Sequence, residues 1–247
     1  MTALFLSDLH LRDGTGVKTQ LVVRFFQEVA ACFDRLYILG DLFDSWPGTT
    51  QHLIRAYAPI LNILKELSLK GHEVHYIEGN HDFRLGEFFA KEIGVIVHPL
   101  QHEEVFSGRK ILMLHGDTVN EEERATHLLR KFLRNDFLHG LLKVVPSRWI
   151  HQLGLRTSGL RRAYQGCQPM KEEKIRATYR NSAQRFFSQG YDMVLMGHTH
   201  LPDDLSVTLG DRTCRYINLG DWVRHFTYVE FREGHFYTKV HSVTQNI

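Results

Sequence analysis

Long apolar runs are missing from this 247-residue sequence. No stretch approaches the roughly 20 consecutive apolar residues that a membrane-spanning helix needs, which excludes an integral helical membrane protein. The start, Met1-Thr2-Ala3-Leu4-Phe5-Leu6-Ser7-Asp8, has no basic segment and no small-residue cleavage site. It does not read as a secretory signal, and the cytoplasm is the expected compartment. Cysteine is scarce. Cys32, Cys167 and Cys214 lie far apart with no C-x-x-C pair, so they make neither a disulfide framework nor a zinc site. Cys32 follows Ala30 and Ala31 in an amphipathic stretch and is expected to be a buried small apolar residue. Repeats and low-complexity segments are absent. With 43% hydrophobic residues the chain can bury a core, so disorder is not the default reading. Its length suits one large α/β domain, or one domain carrying an inserted cap.

The first half alternates short apolar runs with helical spacing. Strands are predicted at Ala3–Leu6, Leu36–Leu39 and Glu73–Ile77, with helices over 21–33, 53–69 and about 85–91. This βαβαβ order implies a parallel sheet with right-handed crossovers. Glu104–Phe106 and Lys110–Leu114 flank Ser107-Gly108 and read as a hairpin. Further strands are predicted at 193–196, 206–209, 215–219, 226–231 and 236–240, in a mixed or antiparallel second sheet. The expected architecture is a four-layer α/β/β/α sandwich. Residues 1–119 and 190–247 form its core, and the strand-free segment 120–189 is an inserted helical cap.

Residues of metal-ligand type stand at five strand ends, where open α/β sheets gather ligands. Asp8-Leu9-His10 follows the first strand and Gly40-Asp41 the second. Gly79-Asn80-His81-Asp82 follows the third, His115-Gly116-Asp117 the hairpin, and Gly197-His198-Thr199-His200 the strand at 193–196. Each motif alone has a plain explanation, such as a turn or a helix cap. Five such coincidences at one end of one sheet do not.

In this order, D-x-H, G-D, G-N-H-D, H-G-D and G-H-T-H, the chain resembles the calcineurin-like metallophosphoesterase family across nearly its whole length. The resemblance implies two divalent ions. Asp8, His10, Asp41 and His200 would hold one; Asp41, Asn80, His115 and His198 would hold the other, with Asp41 shared. Mixed nitrogen and oxygen donors suit Mn²⁺, Fe²⁺ or Zn²⁺ better than Mg²⁺ or Ca²⁺. Such a pair clamps a phosphoryl group and acidifies water. Asp82 and Asp117 would orient ligand imidazoles. His81 would face the substrate phosphate as a catalytic group, an imidazolium stabilising charge or protonating a leaving oxygen.

A narrower resemblance rests on Leu39-Gly40-Asp41-Leu42-Phe43-Asp44-Ser45-Trp46, His81-Asp82-Phe83-Arg84, His115-Gly116-Asp117-Thr118 and Leu219-Gly220-Asp221-Trp222. These are similar to the UDP-2,3-diacylglucosamine diphosphatase branch, a Mn²⁺ enzyme group of lipid A synthesis at the inner face of the cytoplasmic membrane. Better-known members carry Arg where this chain has His81.

The net charge of +2 hides a division. Between Arg124 and Arg185 stand 14 Lys/Arg and 3 Asp/Glu, a surplus of +11, and the remainder carries −9. A basic subregion of this kind meets anionic ligands. Arg130, Arg134, Arg161 and Arg162 are the candidate phosphate contacts, beside an apolar stripe from Leu128 to Leu142. A lipid-linked UDP-sugar and an anionic membrane surface are the expected partners. No stable protein partner is expected, and nucleic acid is disfavoured because Leu-rich helices suit acyl chains better than bases. Two readings compete: a phosphoesterase acting on another nucleotide or phosphodiester, and a non-catalytic scaffold on the same fold. The scaffold reading predicts eroded ligands, and none is missing.

Overall fold

The computed structural model describes residues 1–120 and 169–242. Two sheets lie face to face. The first contains β1 (Ala3–Leu6), β2 (Arg35–Leu39), β3 (Glu73–Ile77), β4 (Ile96–His98), β10 (Thr227–Arg232) and β11 (His235–Val240), in the order β11-β10-β1-β2-β3-β4. The second contains β5 (Gln101–Phe106), β6 (Arg109–Leu114), β7 (Met193–Met196), β8 (Asp203–Leu209) and β9 (Arg212–Asn218), in the order β5-β6-β7-β9-β8. Strands β1 to β4 run parallel, as do β6, β7 and β9.

Successive strand residues face opposite sides, and the burial follows that period. Leu4, Leu6, Leu36, Ile38, Val74 and Tyr76 pack outward against α1 (Val17–Glu28) and α3 (Ala58–Leu69). Ala3, Phe5, Tyr37, Leu39 and Ile77 point inward, onto Ile111, Met113, Met193, Leu195 and Ile217 of the second sheet. A strand buried on both faces reads as an unbroken apolar run, which is why these strands were legible. On the far side of the second sheet, Tyr179, Ala183 and Phe187 cover Leu112, Leu114, Val194 and Met196. They belong to a helix over Pro169–Ser188, which completes the four layers.

Several expectations change. The described end of the segment read as cap is this Pro169–Ser188 helix, which forms an outer layer of the core. The helix expected over 53–69 is two, α2 (Gln51–Ala56) and α3, because Pro59 occupies the first turn of the second and has no N–H to continue a ladder. The hairpin β10–β11 joins the first sheet, antiparallel to β1, and not the second. Cys32 is exposed. It ends a 3₁₀ turn, Ala30–Cys32, that swings it outward after Ala30 enters the core. Arg130, Arg134, Arg161 and Arg162, and the Leu128–Leu142 stripe, lie outside the described residues.

Candidate metal centre

All five motifs leave strands at the carboxyl ends of the two parallel sets, and their loops meet. The backbone bends sharply to do this. Asp8, His10, Asp41, His198 and His200 have φ between 46° and 70°. Non-glycine residues avoid this left-handed region, at a cost of order 1–3 kcal/mol each. Five of the seven proposed ligands share it. Space is also fixed: a Cβ on Gly79 would strike the Asp41 carboxylate, and one on Gly197 would strike Asp8.

The seven side chains fall into one cluster. Nε2 of His10 and Nε2 of His200 face each other at 3.0 Å. Oδ1 of Asp8 lies 3.7 Å from the first and 3.5 Å from the second, buried with no hydrogen-bond partner. Oδ2 of Asp41 lies 3.7 Å from His10 Nε2 and 3.4 Å from His115 Nε2. It therefore stands between two groups of donors. His115 Nε2 is 3.0 Å from Asn80 Oδ1 and 3.3 Å from His198 Nδ1.

The donor chemistry can be tested ring by ring. Nδ1 of His115 donates to the Leu39 carbonyl at 2.8 Å, so in the neutral ring the lone pair is on Nε2. That lone pair faces an amide oxygen and a carboxylate, both acceptors. Nδ1 of His200 is 3.2 Å from Asp221 Oδ2, and Nδ1 of His10 is 3.3 Å from Asp44 Oδ1. Carboxylates there keep the protons on Nδ1 and turn two Nε2 lone pairs toward each other and toward Asp8. Acceptors facing acceptors in a buried site need positive charge between them. The residues therefore fit a pair of divalent cations, Asp8, His10, Asp41 and His200 around one and Asp41, Asn80, His115 and His198 around the other.

The same demand shows in the proton affinities. Burial opposes a charge on His10, but Asp44, Asp8 and Asp41 outweigh it and raise its pKa to about 9. Burial likewise opposes His115, and Asp41 above all raises it to about 10. Burial favours a neutral Asp41, yet the surrounding imidazoles hold it well below the usual carboxylate range. His198 goes the other way, to about 4, through burial and the neighbouring His115.

His81 lies at the cluster's edge. Its backbone N–H donates to Asp41 Oδ1 at 3.0 Å, and its Nδ1 donates to the Asp44 carbonyl at 2.9 Å. The ring stands edge-on to His10 with centroids 5.0 Å apart. Burial lowers its pKa, so at neutral pH it is an imidazole with a free lone pair on Nε2, where the sequence had suggested an imidazolium.

Asp82 does not orient an imidazole. Its oxygens accept from the backbone N–H groups of Asp41, Gly79 and Phe43 at 2.9–3.1 Å and from the Tyr76 hydroxyl. It knits the second and third loops together. Burial and the nearby Asp41 raise its pKa to about 7. Asp117 is buried, and its charge acts on His115 and His198. Asp44 and Asp221 meet ligand rings at Nδ1, and the sequence reading gave neither a role. Both stood in quoted motifs, D-L-F-D and L-G-D-W, but only the folded loops reveal which carboxylate meets which ring.

Residues 1–202 match the model of the calcineurin-like phosphoesterase family. A UDP-2,3-diacylglucosamine hydrolase of Yersinia pestis bv. Antiqua (strain Angola) is 34% identical over 224 residues, covering 90% of this chain and 91% of that protein. One of Photorhabdus laumondii is 32% identical over 223 residues, with the same coverage. Among solved structures, Yfce, a phosphoesterase from E. coli, aligns at 17% identity over 94% of this chain and 89% of that chain, with a TM-score of 0.43. The molecule is a metal-dependent hydrolase of phosphoester or phosphoanhydride bonds. By its matched length and its converging ligand loops, the chain belongs to the calcineurin-like phosphoesterase family.

Proposed function

We propose that the chain is a pyrophosphatase that hydrolyses UDP-2,3-diacylglucosamine to UMP and 2,3-diacylglucosamine 1-phosphate, a step of lipid A synthesis, with Mn²⁺ as the working metal. The observation that carries this is the similarity, along 90% of the chain, to relatives named for hydrolysis of that compound. Two divalent ions in the centre supply Lewis acidity to phosphoryl oxygens and acidify water.

The chain's own residues do the rest. Asp41 fixes the spacing of the two ligand sets, because its Oδ2 approaches both His10 and His115. Asp44 and Asp221 hold two rings in the tautomer that turns Nε2 inward. His81 is held by Asp44 and Asp41, and its Nε2 lone pair is the proton acceptor beside the reacting phosphate. Attack at either phosphorus expels a phosphate monoester that needs no proton, so a neutral imidazole suits this reaction. The basic segment 124–185, with Arg130, Arg134, Arg161 and Arg162, would meet the diphosphate and an anionic lipid surface, and its Leu128–Leu142 stripe the acyl chains. Such peripheral binding, on the inner face of the cytoplasmic membrane, weakens with salt.

The test is kcat/KM for the diacylated sugar nucleotide against UDP-N-acetylglucosamine, with Mn²⁺ present. Buried acyl CH₂ groups contribute about 0.8 kcal/mol each, so the lipid substrate should win by orders of magnitude. Equal values, or faster cleavage of a simple phosphodiester, would leave only the general phosphoesterase reading.

A further inference from the structure

Away from the centre, three histidines from three strands meet at the edge where the two sheets adjoin. His75 lies on β3, His98 ends β4 and His102 lies on β5. One ligand nitrogen from each can be chosen so that all three lie within 4.8 Å of one another. Their ring centroids are 4.1, 5.1 and 5.4 Å apart. Nothing in the proposed reaction uses them.

We propose that His75, His98 and His102 form a separate site for one transition-metal ion of the imidazole-preferring class, with Zn²⁺ the ion that fits best. Three observations support it. Nδ1 of His75 and Nε2 of His98 approach to 3.1 Å, close to the roughly 3.3 Å edge of a tetrahedron with Zn–N bonds of about 2.0–2.1 Å. The two rings are coplanar within 1° and face each other along one line, joined by a single shared proton. Tilting them toward a common point replaces that proton with an ion. The second observation is Nε2 of His75, which is buried without a hydrogen-bond partner. It points its proton toward Glu73 Oε2, 3.7 Å away. The ring thus keeps Nδ1 for a ligand at a place where a plain core residue would satisfy both nitrogens.

The third is the surrounding carboxylate. Glu104 Oε2 lies 3.2 Å from His102 Nε2, the carboxylate–histidine pairing that orients ligand rings in metal sites. Glu104 is itself held by the Tyr37 hydroxyl at 2.5 Å and by Arg35. Tyr37 stacks on His75 with centroids 4.6 Å apart. Burial and mutual repulsion keep His75 and His98 unprotonated, as ligands must be. Imidazole donors alone favour Zn²⁺ or its neighbours over Mg²⁺ and Ca²⁺.

The experiment counts zinc. The full-length protein is incubated with excess ZnCl₂, freed of unbound ion by gel filtration, and analysed for zinc per chain. The wild type is compared with the His98→Gln/His102→Gln double variant. The variant should carry about one equivalent less, and the rise in Tm on adding zinc should shrink with it. Phosphodiesterase activity with Mn²⁺ should match the wild type, since neither residue belongs to the catalytic centre. Equal zinc content in the two proteins would overturn the site. Should the double variant fail to fold, the single variants decide in the same way, because His98 and His102 are each only partly buried.

Discussion

Oδ2 of Asp221 lies 3.2 Å from Nδ1 of His200, while its other oxygen accepts the backbone N–H groups of Val223, Arg224 and His225 at 2.7–3.0 Å. Asp221 therefore holds the ring of a proposed metal ligand from a turn that is itself locked. Burial works against its charge, but His200 and these N–H groups hold its pKa below the usual carboxylate range. Asp221→Asn should weaken one metal site by roughly 10–100-fold, the usual effect of removing such a partner. Metal titration of the variant checks this. An unchanged affinity would reduce Asp221 to a turn-forming residue.

Asp41 approaches ligands of both sets, His10 on one side and His115 on the other. Asp41→Ala should lose most of both metals, whereas His200→Ala should chiefly weaken one site. Elemental analysis distinguishes the two variants. Full dimetal content in the Asp41 variant would break the assignment of a shared ligand.

His81→Ala should cut turnover by roughly 10²–10⁴, the scale of a lost acid–base group, with metal content intact. His81→Arg restores the residue of the better-known relatives but removes the lone pair, so it separates a proton acceptor from a fixed cation. Substantial activity in the Arg variant would count against the acceptor role.

His98 predicts acid sensitivity. Burial first, then His102 and His75, lower its pKa from 6.5 to about 4, while Glu104 acts in the opposite direction. A histidine with a depressed folded-state pKa contributes stability above its unfolded pKa, and loses it as pH falls through the folded value. The window is therefore pH 6.5 down to about 4. Glu104, held down to about 2, contributes no loss until more acidic conditions. Between pH 7 and 4.5, with metal chelated throughout, Tm of the wild type should fall more steeply than that of His98→Gln. Parallel curves would remove His98 as the cause.

The ligand motifs were legible because buried parallel strands leave unbroken apolar runs, and Leu6, Leu39 and Ile77 mark where each run stops. What the sequence hid is longer in range or shorter in length. β4 spans only Ile96–His98, too few residues for a period to register. The pairing of β10 with β1 joins Val229 to Phe5, a choice between sheets that no local pattern encodes. Asp44 and Asp221 gained their partners through left-handed turns at His10 and His200, and nothing in the residue types announces such a turn.

His198 and His200 reach residues 8 and 10 across 190 positions of chain. On a ribosome adding about 5–20 residues per second, Asp8 emerges on the order of 10–40 s before the histidines that finish its cluster. During that interval the nascent protein carries half-built ligand sets. Both ligand sets are complete only once His198 and His200 have emerged, and an ion captured earlier would meet a different set of donors from the one the finished enzyme presents.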